Sequence, residues 1–156
     1  MNDRYLYRAK RIDNGEWVEG YLVETRHNTY HDGYRIIDKN GINYDELDYY
    51  EPSFISYVID KTTICQCTGL KDKNGKLIWE NDIVKCVDVN AETEFFAVVE
   101  FGNPNGFYSW GYQLKHIWGD EPNLDILLWI DMEETGATCE IIGNIFDNKE
   151  LLESEG

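Results

Sequence analysis

Asp82-Ile83-Val84-Lys85-Cys86-Val87-Asp88-Val89 and Phe95-Phe96-Ala97-Val98-Val99-Glu100-Phe101 decide the fold class. Both runs are short and dense in β-branched and aromatic residues, which favour a pleated, half-buried strand. Asn90 to Glu94 lies between them and suits a hairpin loop. The two runs therefore predict an antiparallel strand pair.

The same pattern repeats outward in both directions. Toward the N-terminus, Tyr5 to Ile12 and Trp17 to Val23 read as strands about the turn Asp13-Asn14-Gly15, where Asn-Gly tolerates positive φ. A polar segment, Glu24 to Gly33, follows. Tyr34 to Ile37 is a short strand ending at Asp38-Lys39-Asn40-Gly41. Ile42 to Tyr50 is acidic and ambiguous, Pro52 interrupts any ladder, and Phe54 to Ile59 fits an edge strand. Thr62 to Thr68 is threonine-rich and strand-like, Gly69 ends it, and Leu77 to Glu80 resumes an extended run after Asp72-Lys73-Asn74-Gly75. Toward the C-terminus, Gly102 to Gly106 is a loop. Phe107 to Leu114, Leu124 to Ile130 and Thr138 to Phe146 read as strands, with a linker of open assignment through Pro122. Only Lys149 to Glu155, capped by Asn148, reads as a helix. The expected fold is mostly β: short antiparallel strands in an SH3-like barrel or small-sheet architecture, with a short C-terminal helix. One domain over 1–156 is expected, with an N-terminal β subregion 1–58 and a core subregion 59–152.

The string Asp-Lys-Asn-Gly occurs twice, at 38–41 and 72–75, and is read as two hairpin loops with one turn chemistry. An EF-hand is excluded. In its register the first and twelfth positions would be Leu70 and Asn81, or Ile36 and Leu47, and none of these can supply a carboxylate. Glu80-Asn81-Asp82 makes a second tight bend into Ile83 and Val84, a pattern common in SH3-like barrels. Asp72, Asn74 and Glu80 are expected to bond backbone amides of their own turns.

Composition sets outer limits. The 156 residues weigh 18.3 kDa and carry a formal charge of −16. A general basic surface for nucleic acid is thereby excluded, and no direct nucleic-acid contact is expected. Residues 1–78 hold 11 basic and 13 acidic side chains, whereas 79–156 hold 3 and 17. The run Asp120, Glu121, Asp125, Asp131, Glu133, Glu134 has no base among it. Solubility explains such a surface, and a basic partner is the alternative. No apolar run is long enough to span a membrane, and the opening MNDRYLYRAK lacks the apolar core of a secretory signal. Cys65, Cys67, Cys86 and Cys139 are then expected to be reduced and buried, since one C-x-C and two single cysteines make a poor zinc set.

Recognisable chemistry is sparse. No Walker loop, G-x-G-x-x-G or G-x-S-x-G string is present. His27 and His31 are four apart beside Asp32, but without a helix that spacing has no geometric force, and His116 has no visible partner. No catalytic, cofactor or metal residue is assigned. Phe107-Tyr108-Ser109-Trp110-Gly111-Tyr112 is the densest aromatic patch. On a strand Tyr108, Trp110 and Tyr112 share one face, which suits a core or a subunit interface.

Two long strings carry a family likeness. Gln66-Cys67-Thr68-Gly69-Leu70-Lys71-Asp72-Lys73-Asn74-Gly75-Lys76 continues into Ile78-Trp79-Glu80-Asn81-Asp82-Ile83-Val84, and Ile142-Gly143-Asn144-Ile145-Phe146-Asp147-Asn148-Lys149-Glu150-Leu151-Leu152 closes the chain. They resemble Q-Y-T-G-L-x-D-K-N-G-K-x-I-[YF]-E-G-D-I-V and I-G-N-I-Y-E-N-P-E-L-L of the YopX family, small proteins found largely in phages and prophages. Trp17-Val18-Glu19-Gly20 and Val98 to Phe101 fit loosely. Cys67 stands for Tyr, Asn81 for Gly at a position read as needing positive φ, and Lys149 for Pro. Thr68, Gly69, Asp72, Asn74, Gly75, Glu80, Asn81 and Asp82 are read as a folding signature. The resemblance implies a phage or prophage accessory protein in the bacterial cytoplasm. The expectation is a non-enzymatic protein acting through protein contacts, self-associated, with a basic host protein as a further partner. An acidic mimic of nucleic acid and a carboxylate-metal hydrolase or nuclease are the alternatives.

Overall fold

The computed structural model describes residues 3–25, 33–43, 53–120, 123–130 and 135–153. The chain divides into two compact units, Met1–Cys67 and Thr68–Gly156.

The first unit is built on β1 (Tyr7–Lys10), β2 (Trp17–Thr25), β3 (Gly33–Asn43) and β4 (Ser53–Val58), in the order β4-β3-β2-β1, all antiparallel. β5 (Cys65–Lys71) begins here, pairing Gln66 with Tyr7, and runs on into the second unit. The β1–β2 turn closes as its sequence predicts, with Gly15 at φ +72 and its N–H on the Arg11 carbonyl at 3.0 Å. Gly20 sits where a Cβ would lie 1.9 Å from the Ile37 carbonyl oxygen, so only glycine allows β2 and β3 to approach. Ala9, Ile36 and Ile59 form the buried centre, flanked by Tyr7, Val18, Leu22 and Tyr57.

Two local expectations fail in this unit. Asp38 to Gly41 is no hairpin turn: β3 runs through it and pairs with β4 on both sides, Ile37 with Ser56 and Ile42 with Phe54. The string is a bulge opposite Ile55, held by the Asn40 N–H on Asp38 Oδ1 at 2.8 Å. Thr62 does not start a strand. Asp60 Oδ1 accepts from the Thr62 amide at 2.9 Å and winds Lys61–Thr63 into a 3-10 turn, so β5 starts at Cys65. β4 is an edge strand, and an isolated bridge, Arg11 to Ile59, lies beyond it.

The second unit contains β6 (Leu77–Trp79), β7 (Asp82–Asp88), β8 (Thr93–Gly102), β9 (Gly111–Gly119) and β10 (Ala137–Asn144). Four strands form an antiparallel sheet in the order β10-β7-β8-β9, and β6 neighbours β5. The strand pair that opened the reading is β7–β8, with Cys86 opposite Phe95 and Val84 opposite Ala97. Strand alternation puts Val84 and Cys86 of β7 with Phe95, Ala97 and Val99 of β8 on one buried face. Phe95 is fully buried and meets Trp129 edge-on at 4.9 Å. Burying a ring of that size stabilises by roughly 3 kcal/mol relative to leaving it exposed.

Phe107 to Trp110 precede β9 instead of belonging to it, and β9 continues through the stretch left open, to Gly119. Leu124 to Ile130 is no strand. Asp125 Oδ1 accepts from the Leu127 amide at 3.0 Å and starts the 3-10 turn Ile126–Leu128, which buries Ile126 and Trp129 three residues apart. The C-terminal helix is reduced to a 3-10 turn, Lys149–Leu152, and Asn148 makes no side-chain cap. The mostly β class holds, but the two antiparallel sheets are not closed into an SH3-like barrel. Among the described residues no helix is long and apolar enough to cross a membrane.

Candidate functional site

The second Asp-Lys-Asn-Gly string does make a hairpin turn, between β5 and β6. Gly75 takes φ +78, its N–H reaches the Asp72 carbonyl at 2.9 Å, and the Asp72 amide reaches the Lys76 carbonyl at 2.8 Å. Asp72 is buried. Its Oδ1 accepts from the amides of Asn74 at 2.9 Å and Lys76 at 3.0 Å. Its Oδ2 leaves the turn and accepts from the Ile141 amide of β10 at 3.1 Å. That last bond was invisible in the sequence, where Asp72 was read as serving its own turn. The loop is held to β10 at three further points. The Lys73 amide donates to the Cys139 carbonyl at 2.9 Å, Lys73 Nζ lies 2.6 Å from Glu140 Oε2, and Asn74 Nδ2 donates to Glu140 Oε1 at 3.3 Å. Hydrogen bonds from Lys73 and then Asn74 hold the Glu140 carboxyl below its ordinary pKa.

The rest of the signature is arranged the same way. Thr68 Oγ1 donates to the Ile78 carbonyl at 2.7 Å and accepts from the Leu70 amide at 3.0 Å, across Gly69 at φ +78. In the second bend Glu80 is half-buried, and Asn81 takes φ +68, the conformation for which Asn is the best substitute for Gly. The Asn81 amide donates to the Val99 carbonyl at 2.7 Å, and its carbonyl accepts from Ile145 at 3.1 Å. Asp82, almost fully buried, accepts from the Trp79 amide at 2.8 Å. The closing string repeats the theme. Asn144 Oδ1 accepts from the amides of Phe146 and Asp147, both at 3.0 Å, and Asn148 Oδ1 accepts from Asn144 at 3.2 Å. A Cβ at position 143 would lie 2.4 Å from that Asn148 oxygen.

Much of the acid excess has the same local use. Asp38, Asp60, Asp88, Asp120 and Asp125 each accept a backbone N–H through the side chain. The sequence reading gave Asp38 to a turn, and the acids of 79–156, Asp88, Asp120 and Asp125 among them, to solubility or to a partner. Asp-x-Asn in Asp38-Lys39-Asn40 and Asp88-Val89-Asn90 was the available signal for turn formation. Glu94 and Glu100 are paired with Lys85 at 3.0 Å and Lys115 at 3.1 Å.

The aromatic patch is placed differently from expectation. Tyr108 and Trp110 precede β9, so they do not share a strand face with Tyr112. Tyr108 is fully exposed and Trp110 is 78% exposed, whereas Tyr112 is half-buried, with its ring edge-on to Phe101 at 5.1 Å. The segment is nonetheless fixed. Asn103 Oδ1 accepts from the Phe107 amide at 2.7 Å, and the buried Gln113 donates from Nε2 to the Ser109 carbonyl at 2.9 Å. Gln113 is itself held by Asn105 Nδ2 at 3.2 Å. Trp110 and Tyr112 line a cleft of about 630 Å³ with Leu70, Phe107, Ile126 and Leu127. Its polar edge includes Thr68, Asn123 and Asp125.

Other candidates contribute less. His27, His31 and Asp32 lie outside the described residues, as do Glu121, Asp131, Glu133 and Glu134. His116 is half-buried on β9, with its ring 6.2 Å from Phe95. Among the described residues no group of three His, Cys, Asp or Glu side chains could hold a metal ion. All four cysteines are buried thiols outside any disulfide. Cys86 pairs with Cys139 across β7 and β10, and their mutual hydrogen bond, then burial, push the Cys86 thiol pKa up.

The family comparison spans this whole arrangement. The model of the YopX protein family matches residues 6–153, from the residue before β1 to just past the final 3-10 turn. The chain belongs to the YopX family. No match was found among curated proteins. Both strings that resembled YopX sequences lie inside the matched range, and both contain side chains that bond backbone, Asp72 and Asp82 in the first and Asn144 and Asn148 in the second. Among the described residues of this YopX chain, Phe107, Tyr108 and Trp110 are exposed large apolar side chains, as are Tyr5, Ile12, Phe54 and Val89 elsewhere.

Proposed function

We propose that this YopX chain is a non-enzymatic phage or prophage accessory protein of the bacterial cytoplasm that acts through protein contacts, with the aromatic segment 107–112 as its contact surface. The signature residues are then a structural frame. The observation that carries the reading is Trp110: a large ring 78% exposed on a segment whose backbone is pinned by Asn103 and Gln113. Water-facing tryptophan on a rigid loop is unfavourable for an isolated chain and favourable for a binding surface. Phe101, Phe107, Tyr108, Leu127 and Leu128 extend the exposed apolar area around it.

Self-association is one way to cover this surface, and a basic host protein is the other. Salt separates them. Two copies of net −16 repel, so a self-contact strengthens as salt rises, while contact with a basic partner weakens. Sedimentation velocity at low and high salt, on wild type and Trp110→Ala, tests the reading. A mass increase lost in the variant supports self-contact. A strict monomer at all concentrations removes it and leaves the basic partner, for which the charge of residues 79–156 is the supporting observation.

A further inference from the structure

The cleft beside Trp110 has a chemical bias that narrows its occupant. Its walls combine apolar and aromatic side chains with Thr68, Ser109, Gln113 and Asn123, and among the described residues Asp125 is the charged lining residue and no lysine or arginine lines it. Asp125 Oδ1 is occupied by the Leu127 amide, and no ion pair to this carboxylate is formed among the described residues. Between Lys85 and Lys149 the sequence has a single base, Lys115, which is paired with Glu100 at 3.1 Å. Trp110 and Tyr112 are rings whose π faces attract a guanidinium or ammonium group.

We propose that this cleft binds a short basic, apolar peptide segment of a partner protein, placing an aliphatic or aromatic side chain between Trp110 and Ile126 and an arginine or lysine at Asp125. The proposal rests on the protein-contact reading and names the partner's chemistry. Net charge favours this occupant over a second copy, since the chain brings net −16 to any self-contact. Outside the cleft lining Tyr108 and Leu128 are also exposed, and they offer a longer ligand further apolar contact. The walls need little ordering, because Gln113 and Asn103 already fix the segment that carries Trp110.

Fluorescence anisotropy with the full chain tests this. The probe is a dye-labelled peptide of alternating arginine and leucine. One control replaces each arginine by glutamate, and another replaces each leucine by serine. The expected result is binding of the first peptide only. Trp110→Ala should weaken it at least about tenfold, as for a central aromatic anchor. Asp125→Asn should weaken it about two- to fivefold, with a shallower salt dependence. Circular dichroism confirms that each variant is folded. Equal binding by Trp110→Ala, or binding of the serine control, reduces the effect to general attraction by an acidic surface and overturns the proposal. Failure to bind any peptide, in a chain that sediments as a Trp110-dependent oligomer, overturns the basic occupant and leaves the contact reading standing. Failure to bind in a monomer that Trp110→Ala does not alter overturns both.

Discussion

Replacing Asp72 by alanine should cost more stability than any other polar substitution in the turn, and the cost can be built from its bonds. The carboxylate accepts three backbone amides: Asn74 at 2.9 Å, Lys76 at 3.0 Å and Ile141 at 3.1 Å. Asn74 and Lys76 are exposed, so water replaces the lost acceptor there at about 0.5–1 kcal/mol each. The Ile141 amide lies in the half-buried contact between the loop and β10, where a missing charged acceptor costs about 2 kcal/mol. The total is about 3–4 kcal/mol, a large part of the roughly 5–15 kcal/mol that a domain has. Asp72→Asn should cost about 2 kcal/mol, because its NH₂ must face one backbone donor whichever way it turns. Urea unfolding followed by tryptophan fluorescence reads both values, at unchanged slope. A cost below 1 kcal/mol for the alanine variant would refute the reasoning, since the bonds to Asp72 would then be incidental to folding.

Other substitutions probe different links. Gly20→Ala places a Cβ 1.9 Å from the Ile37 carbonyl oxygen, which must part β2 from β3. It should destabilise by more than about 3 kcal/mol in the same urea assay, and a near-neutral result would mean the strands are not so close. Glu140, held below its ordinary pKa by Lys73 and Asn74, contributes stability above its unfolded pKa and loses it as pH falls through the folded one. Melting temperature against pH should therefore fall less steeply on the acid side in Glu140→Gln, and parallel curves would exclude the coupling. Cys86 and Cys139, buried and with the Cys86 thiol pKa raised, should resist iodoacetamide at pH 8 until the chain unfolds. Rapid labelling of native protein would contradict their placement.

What could be read from the sequence depended on how local the decision was. The strand pair 82–89 and 95–101 was legible because the density of β-branched and aromatic residues marks it locally, and the structure sets Cys86 opposite Phe95. The turns at Gly15 and Gly75 were legible because positive φ leaves a residue signature. The two Asp-Lys-Asn-Gly strings show the limit. Identical residues make a bulge at 38–41 and a hairpin at 72–75, because β4 continues the ladder past the first and β10 receives the second. Leu124 to Ile130 failed for a related reason. An apolar run fits a strand or a tight turn equally well, and the Asp125 cap selects the turn. The aromatic patch was found as a composition but misread as a strand face, since Asn103 and Gln113, not strand pairing, fix its backbone. The cleft could not be seen at all, because it joins residues 68–70, 107–113 and 123–127.

The central claim is that the polar groups of the signature hold the backbone of the second unit together. Amide hydrogen exchange at Ile141, followed by NMR in wild type and in Asp72→Ala, tests it most directly. The account expects strong protection in wild type and exchange at least about tenfold faster in the variant, beyond the change at Cys86 and Phe95 in the sheet centre. Equal protection of Ile141 in both proteins would contradict it.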